Sequence, residues 1–432
     1  MPYSFRKCTA VIVILALLVF STTVANAATI IQDVRVFDGY QFIEKATVVF
    51  DNDQIRQVLS DMQWDGKIDG ADVIDGDGYT LLPGLIDAHT HTFQRPFLER
   101  ALDFGVTTSI DMGTAIPTMR MLQEEQTTGL VHDRADVLSA GMGATVPGGH
   151  GTQFGMEVPT LKEGDDIDAF VAARLREGSE FLKLVMDDFS VVGFDLPTLT
   201  AAQVDALVEA AHRHHVIAVI HARDAESYLA ATQAGVDGFA HGLSESRPEA
   251  SLLEAMAQHE PFVIPTLTTT EGTQGGPGGA VFAEDAVMGP QLDEREKIAL
   301  KRVRFENPRV AFDFSIALDS VRAFHHNGTP ILAGSDSPNP GTTPGASLHR
   351  ELELLVEAGL TPTEALQAAT TNPADAFGLI DRGRIAPGYR ADLLLVEGNP
   401  TIRITDTRKI AGIWKGGLRH EVDRPVRQAT DN

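Results

Sequence analysis

The chain changes texture twice along its length. From residue 29 to about 83, short β-branched runs at 30–37, 46–50 and 54–58 alternate with turn clusters such as Asp51-Asn52-Asp53 and Asp75-Gly76-Asp77-Gly78. That is the pattern of a small β unit. The same texture returns near the far end, where 391–396 and 410–414 read as strands with glycine and Asn-Pro turns between them. Between these flanks, short apolar runs alternate with helical stretches. Eight runs read as strands, at 84–89, 107–111, 137–144, 181–186, 217–221, 238–241, 262–267 and 331–334. The intervening segments 168–176 and 201–213 carry apolar residues at spacings of three and four, as one face of a helix requires. Thr361-Pro362-Thr363-Glu364 predicts a helix start with a capping box and proline in the first helical position. Repeated β/α units predict an α/β fold, a (β/α)8 barrel over 84–385. The flanks, 28–83 and 386–432, predict a small composite β-sandwich domain built from both chain ends.

One connection breaks the rhythm. From Thr268 to about Pro290 the chain is glycine-rich around Gly275-Gly276-Pro277-Gly278-Gly279, and it reads either as a lid or as a disordered surface insertion. At the start, an apolar run at 11–20 follows Arg6 and Lys7 and precedes Ala25 and Ala27, which stand at signal-peptidase spacing. This predicts a signal peptide over 1–27 and an exported protein, periplasmic or secreted. The run is short for spanning a bilayer, so no stable membrane anchor is expected after cleavage. Cys8, the only cysteine, precedes the run and would leave with it. The mature chain then has no thiol, disulfide or cysteine metal ligand.

Asp and Glu outnumber Lys and Arg by 60 to 35, for a formal net charge of -25. Such a surface repels phosphate backbones and anionic lipid, which argues against nucleic acid and leaves a small molecule as the expected partner. Homo-oligomerisation stays open.

Candidate chemistry gathers at strand ends. Asp87-Ala88-His89-Thr90-His91 closes the first central strand. Side chains alternate faces along a strand, so His89 and His91 point the same way and can grip one metal ion. A His-x-His pair alone is weak evidence, because many surfaces carry one. Its weight comes from His221, His241 and Asp336, each closing another apolar run, at the fifth, sixth and eighth strands. Barrel enzymes place their active sites on that carboxyl face. The bland alternative, satisfied polar residues at strand ends, must explain the whole set at once.

Leu82-Pro83-Gly84-Leu85-Ile86-Asp87-Ala88-His89-Thr90-His91, Gly105-Val106-Thr107-Thr108, the strand-end His221 and His241, Gly334-Ser335-Asp336 and the segment 383–393 together resemble the amidohydrolase superfamily. The resemblance runs from about residue 30 to 420. Pro147-Gly148-Gly149-His150-Gly151 and the segment 347–355 are similar to the branch of Xaa-Pro dipeptidases, related carboxypeptidases, imidazolonepropionase-like enzymes and ochratoxin amidases. The resemblance implies a TIM-type barrel with two divalent metal ions. His89, His91 and Asp336 would hold one ion, and His221 and His241 the other. It further implies that Lys183, in the fourth strand, adds carbon dioxide to form a carbamate bridging both ions. An ordinary ion-paired lysine is the alternative, although a free ammonium would repel two cations and is costly to bury. Nitrogen and oxygen ligands suit zinc without excluding manganese or cobalt.

Two such ions lower the pKa of a water held between them and polarise a carbonyl. Asp336 would take the water's proton and hand it to the leaving nitrogen. The expected reaction is hydrolysis of an amide or peptide bond in a small substrate, one that bears a free carboxylate. His150 is a further candidate catalytic residue, through the scissile carbonyl. His150 and Arg223 are both candidates for binding the carboxylate, against readings as a loop histidine on backbone and a structural salt bridge. His349, amid apolar residues, reads as packing, and His212, His214, His215, His325 and His326 as solvent-facing. Lactone, carbamate or cyclic-amide hydrolysis by the same metals stays open. So does a silent homologue acting as a scaffold, which the complete ligand set speaks against.

Overall fold

The computed structural model describes residues 28–422, except 61–65, 67, 130, 155–157, 274–277 and 303–312. The expected signal peptide and residues 275–277 of the glycine run lie outside the described residues. No described helix is long and apolar enough to cross a membrane.

The amino-terminal flank supplies β1 (Thr29–Phe37), β2 (Phe42–Asp51), β3 (Gln54–Ser60), β4 (Asp72–Asp75) and β5 (Tyr79–Pro83). The central region then forms two parallel sheets. One holds β6 (Leu85–Thr90), β7 (Val106–Asp111) and β8 (Asp136–Ser139). The other holds β9 (Leu182–Val185), β10 (Ala218–His221), β11 (Gly238–Phe239) and β12 (Phe262–Val263). Every residue of β6, β7, β9 and β10 is buried, as parallel strands covered by helices on their outer faces require. Those helices start where their sequences say. Asp166 caps Ile167–Glu177 by accepting from the Ala169 N–H. Thr200 with Gln203, and Thr361 with Glu364, close capping boxes on Ala201–Arg213 and Pro362–Ala368. Isolated parallel bridges from Ala144 to Leu184, Val263 to Ile331 and Thr90 to Ser337 run between the two sheets and the segment that follows β12.

The carboxyl-terminal flank returns to the first sheet with β13 (Leu393–Glu397), β14 (Ile410–Lys415) and β15 (Leu418–Arg419). The strand order is β15-β14-β13-β5-β1-β2-β3, with β4 also paired to β1. Both chain ends do build this unit. Its eight strands are hydrogen-bonded into one sheet. The reason lies in β1. Its residues from Thr29 to Gln32 pair with β4, Arg35 and Val36 pair with β5, and the pairing with β2 is irregular between Ile31 and Val36. Such irregularities bend a strand, so β1 serves two neighbours on one edge. Ile31, Val36, Phe50, Leu81, Leu395 and Trp414 fill the unit's own core.

Three strand expectations need correction. The run at 137–144 leaves its ladder with β7 after Ser139 and meets β9 by a single bridge at Ala144. The run at 262–267 stops pairing at Val263, and Leu267 opens a helix. The run at 331–334 keeps a single bridge at Ile331, because its backbone serves partners on both sides. Leu332 N–H donates to Val263 O at 2.9 Å, Ala333 N–H to Ala368 O at 2.7 Å, and Ala88 N–H to Ala333 O at 2.9 Å. At Gly334 a Cβ would sit 2.8 Å from the His89 nitrogen, so glycine here lets the two backbones touch.

The expected loop from Thr268 to Pro290 is largely helical where described, with helices Leu267–Thr273 and Gly278–Ala283. Helix Ala346–Glu357 causes the difference. Its buried Glu351 accepts the free N–H groups of Leu267 at 2.9 Å and Thr268 at 2.7 Å, capping the new helix from a distant part of the chain. Gly279 is there for closeness, since a Cβ on it would lie 2.1 Å from Leu300 O.

Candidate metal centre

The polar residues that close the central strands meet at their carboxyl ends. His89 Nε2 and His91 Nε2 lie 3.3 and 3.1 Å from the same Asp336 Oδ1, so the alternation along β6 does aim both rings one way. The His241 ring stands 4.9 Å from His89 and 4.2 Å from His221. His89, His241 and Asp336 each offer a ligand atom, and the three atoms lie within 4.8 Å of one another. This trio crosses the division implied by sequence, in which His241 served the other ion. Lys183, inside β9, is buried beside His89, His241 and Asp336.

The hydrogen-bond chemistry fits a metal. His91 Nδ1 lies 3.0 Å from Gly113 O, which only accepts, so Nδ1 carries the proton and Nε2 presents a lone pair. In the neutral ring that lone pair faces the Asp336 carboxylate, an arrangement that calls for a proton or a metal ion between them. Lys183 Nζ and His89 Nδ1 are buried and have no hydrogen-bond partner among the described residues. Such orphans are rare in folded proteins and ask for an explanation. Burial pushes the Lys183 amine down to about 7 against the opposing field of Asp336. Burial also lowers His89 and His241, whereas His91 is raised because the hydrogen bond and charge of Asp336 outweigh its burial.

Neighbours hold these groups in place. Asp87, pushed up to about 7 by burial, accepts from Ser335 Oγ at 2.6 Å, Ser335 N–H at 2.9 Å and His89 N–H at 3.2 Å. It thereby ties the first strand to the Asp336 segment. Asp336 stands at a φ of +53°, a costly region for a residue with a Cβ. Its N–H bond to His89 O at 2.7 Å and the Asn339 amide at 2.8 Å from Oδ1 hold it there. His241 Nδ1 bonds to Thr266 Oγ1 at 2.7 Å.

The two expected substrate residues meet at one aromatic ring. His150 stacks on Phe189 with centroids 4.3 Å apart and lies 5.6 Å from His221. The Arg223 guanidinium sits 4.8 Å from the centre of the same Phe189 ring. Arg223 does form the salt bridge weighed against its binding role, with Nε 2.6 Å from Asp187 Oδ2. Its Nη2 remains buried without a partner among the described residues. His349 is buried and bonded to Phe104 O and Thr407 Oγ1, which makes it a structural bridge. Asp187 and Phe189 escaped the sequence reading. Asp187 carried a usable signal, since it closes an apolar run as His221 does.

The profile of the Amidohydrolase family matches residues 80–422. The chain belongs to the amidohydrolase family. Imidazolonepropionase from Deinococcus deserti is 26% identical over 366 residues, covering 79% of this chain and 84% of that protein. Among solved structures, a Xaa-Pro dipeptidase with bound methionine aligns with a TM-score of 0.71 at 22% identity, over 91% of this chain and 100% of its own. The A. niger ochratoxinase aligns at 0.68 and 19%, over 91% and 95%. At these identities the structures speak for the fold alone. This amidohydrolase is an enzyme of a metal-dependent family, and its His89, His241 and Asp336 cluster is a candidate site for that metal.

Proposed function

We propose that this amidohydrolase splits an amide bond next to a free carboxylate in a small substrate, using two divalent ions, zinc by preference. The two parallel sheets and their bridging segments are read as one (β/α)8 barrel, with the composite sheet of the two chain ends attached. His89, His91 and Asp336 would hold one ion and His221 and His241 the other. The observation that carries the reading is the buried Lys183 Nζ, without a partner among the described residues beside these groups. As a neutral amine it can attack carbon dioxide, form an N–C bond and release a proton, leaving a carbamate anion. That anion would supply the negative charge the cluster needs between two cations.

Bound ions supply a water made acidic near neutral pH and a polarised carbonyl. The chain's own residues do the rest. Asp336, fixed by Asn339, accepts the attacking water's proton and returns it to the leaving nitrogen, which departs poorly unless protonated. Arg223 Nη2 donates to the substrate carboxylate, and His150 lies against the same Phe189 ring as Arg223. An acidic protein that accepts an anion needs such a local cation to offset its field. The basic start, apolar run and Ala25 and Ala27 spacing support export to the periplasm or medium.

Matched N-acyl amino acids and their amides test the substrate class. Amidating the carboxylate should lower kcat/KM by about 30- to 1000-fold, or roughly 2–4 kcal/mol, and Arg223→Ala should abolish that preference. Equal rates on acid and amide in the wild type would overturn the carboxylate reading in favour of neutral amides, lactones or carbamates.

A further inference from the structure

Asp187 lies four residues after Lys183, just beyond the end of β9. It is buried, and the contacts of its side chain are all donors. Oδ2 accepts from His221 Nε2 at 2.9 Å and from Arg223 Nε at 2.6 Å, and Oδ1 accepts from the Phe189 N–H at 2.7 Å. A carboxylate oxygen that already accepts from Arg223 takes a proton from His221 as well, so that proton sits on Nε2, and Nδ1 holds the lone pair when the ring is neutral. A metal binds only the nitrogen that bears the lone pair. The oxygen that sets this tautomer also grips Arg223 by Nε, while Nη2 stays buried without a partner among the described residues.

We infer that Asp187 is a positioning residue that couples the metal centre to the carboxylate-binding site. It fixes which His221 nitrogen is offered to the metal and which Arg223 nitrogen is offered to the substrate. Phe189 belongs to the same device. Its N–H is bonded to Asp187, its φ is +56°, and its ring touches both His150 and Arg223. A bulky residue holds that backbone region only where its surroundings impose it. Asparagine cannot replace Asp187. Its one oxygen faces three donors in two directions, so its NH₂ must point at a donor whichever way the amide turns. The inference rests on the two-ion reading above, in which His221 is a ligand.

Zinc affinity of the full chain, measured by chelator competition, tests it in wild type and Asp187→Asn. The expected result is two ions per wild-type chain and one site weakened about 10- to 100-fold in the variant. Saturating zinc should restore most of kcat, while KM for the acid substrate stays raised and KM for its amide does not change. A merely structural role would not split the two in this way. Unchanged affinity at both sites would overturn the inference. Fewer than two ions in the wild type would instead overturn the two-ion reading, and the metal half of this inference with it. Should Asp187→Asn fail to fold, nitrogen-15 resonances of selectively labelled wild type decide the matter. His221 protonated on Nε2 supports the inference, and protonation on Nδ1 contradicts it.

Discussion

Two clusters of charge lie toward opposite ends of the parallel strands, and they are built on opposite principles. At the amino end of β8, Asp136 meets Arg382, Arg390 and Lys415 at 2.6, 2.6 and 3.0 Å. Asp392 takes Lys415 Nζ at 3.2 Å and the Gly416 N–H at 2.7 Å, and Asp381 takes Arg382 Nε at 2.8 Å. Three carboxylates, Asp381 among them half exposed, face three cations, and none of the six is among the buried groups without a partner. This cluster clamps the composite sheet onto the central strands. At the carboxyl ends, Lys183, His89 and Arg223 each keep a buried nitrogen without a partner among the described residues. A network closed within the chain serves the fold. One left open waits for something from outside: on the function proposed above, metal, carbon dioxide and substrate.

Breaking each cluster should therefore cost different things. The largest effect is expected at the open one. Asp336→Asn keeps size and a ligating oxygen but removes the proton shuttle, so turnover should fall by about 10²- to 10⁴-fold. Its melting temperature should hold, and steady-state kinetics beside a thermal melt will show whether the two separate. Normal turnover would mean that another group is the base. Lys415→Met should do the reverse. Leaving Asp136 and Asp392 short of a cation should cost about 3–5 kcal/mol in urea unfolding, with kcat of the folded enzyme unchanged. A variant as stable as the wild type would show that the closed cluster contributes little.

The smallest effect is a pH dependence. Burial alone would raise Asp136 and Asp392, but Lys415 and Arg390 outweigh it, joined by Arg382 at Asp136, and hold both below the usual carboxylate range. Their stabilisation is thus complete above the unfolded pKa near 4 and is lost as pH falls below it toward the lower folded values. The loss in unfolding free energy between pH 5 and 3 should be about 1–2 kcal/mol smaller in Asp136→Asn than in wild type. Equal losses would place the acid-sensitive groups elsewhere.

The open cluster was the more legible of the two in sequence, for a physical reason. Its members each close an apolar run, and a parallel topology brings strand ends together wherever the runs lie in the chain. His89, His91, His221, His241 and Asp336 carry that signature. The closed cluster carries none, because Asp136 and Lys415 are joined only when the carboxyl-terminal strand returns to the sheet. The helix at Leu267–Thr273 was hidden likewise. Its threonines and glycine argue against helix, and the cap that starts it, Glu351, comes from a distant helix. Strand ends misread at 137–144 and 262–267 have the same origin. Apolar character continued past the last ladder bond, since those residues are buried whether or not they pair.

Metal stoichiometry tests the central claim most directly. Elemental analysis of purified wild type should find two divalent ions per chain. Lys183→Ala should lose metal and activity together, and short carboxylic acids added to it should restore part of the activity by standing in for the carbamate. Two ions per chain in Lys183→Ala would contradict the account, because the buried amine would then be no part of what holds the metals.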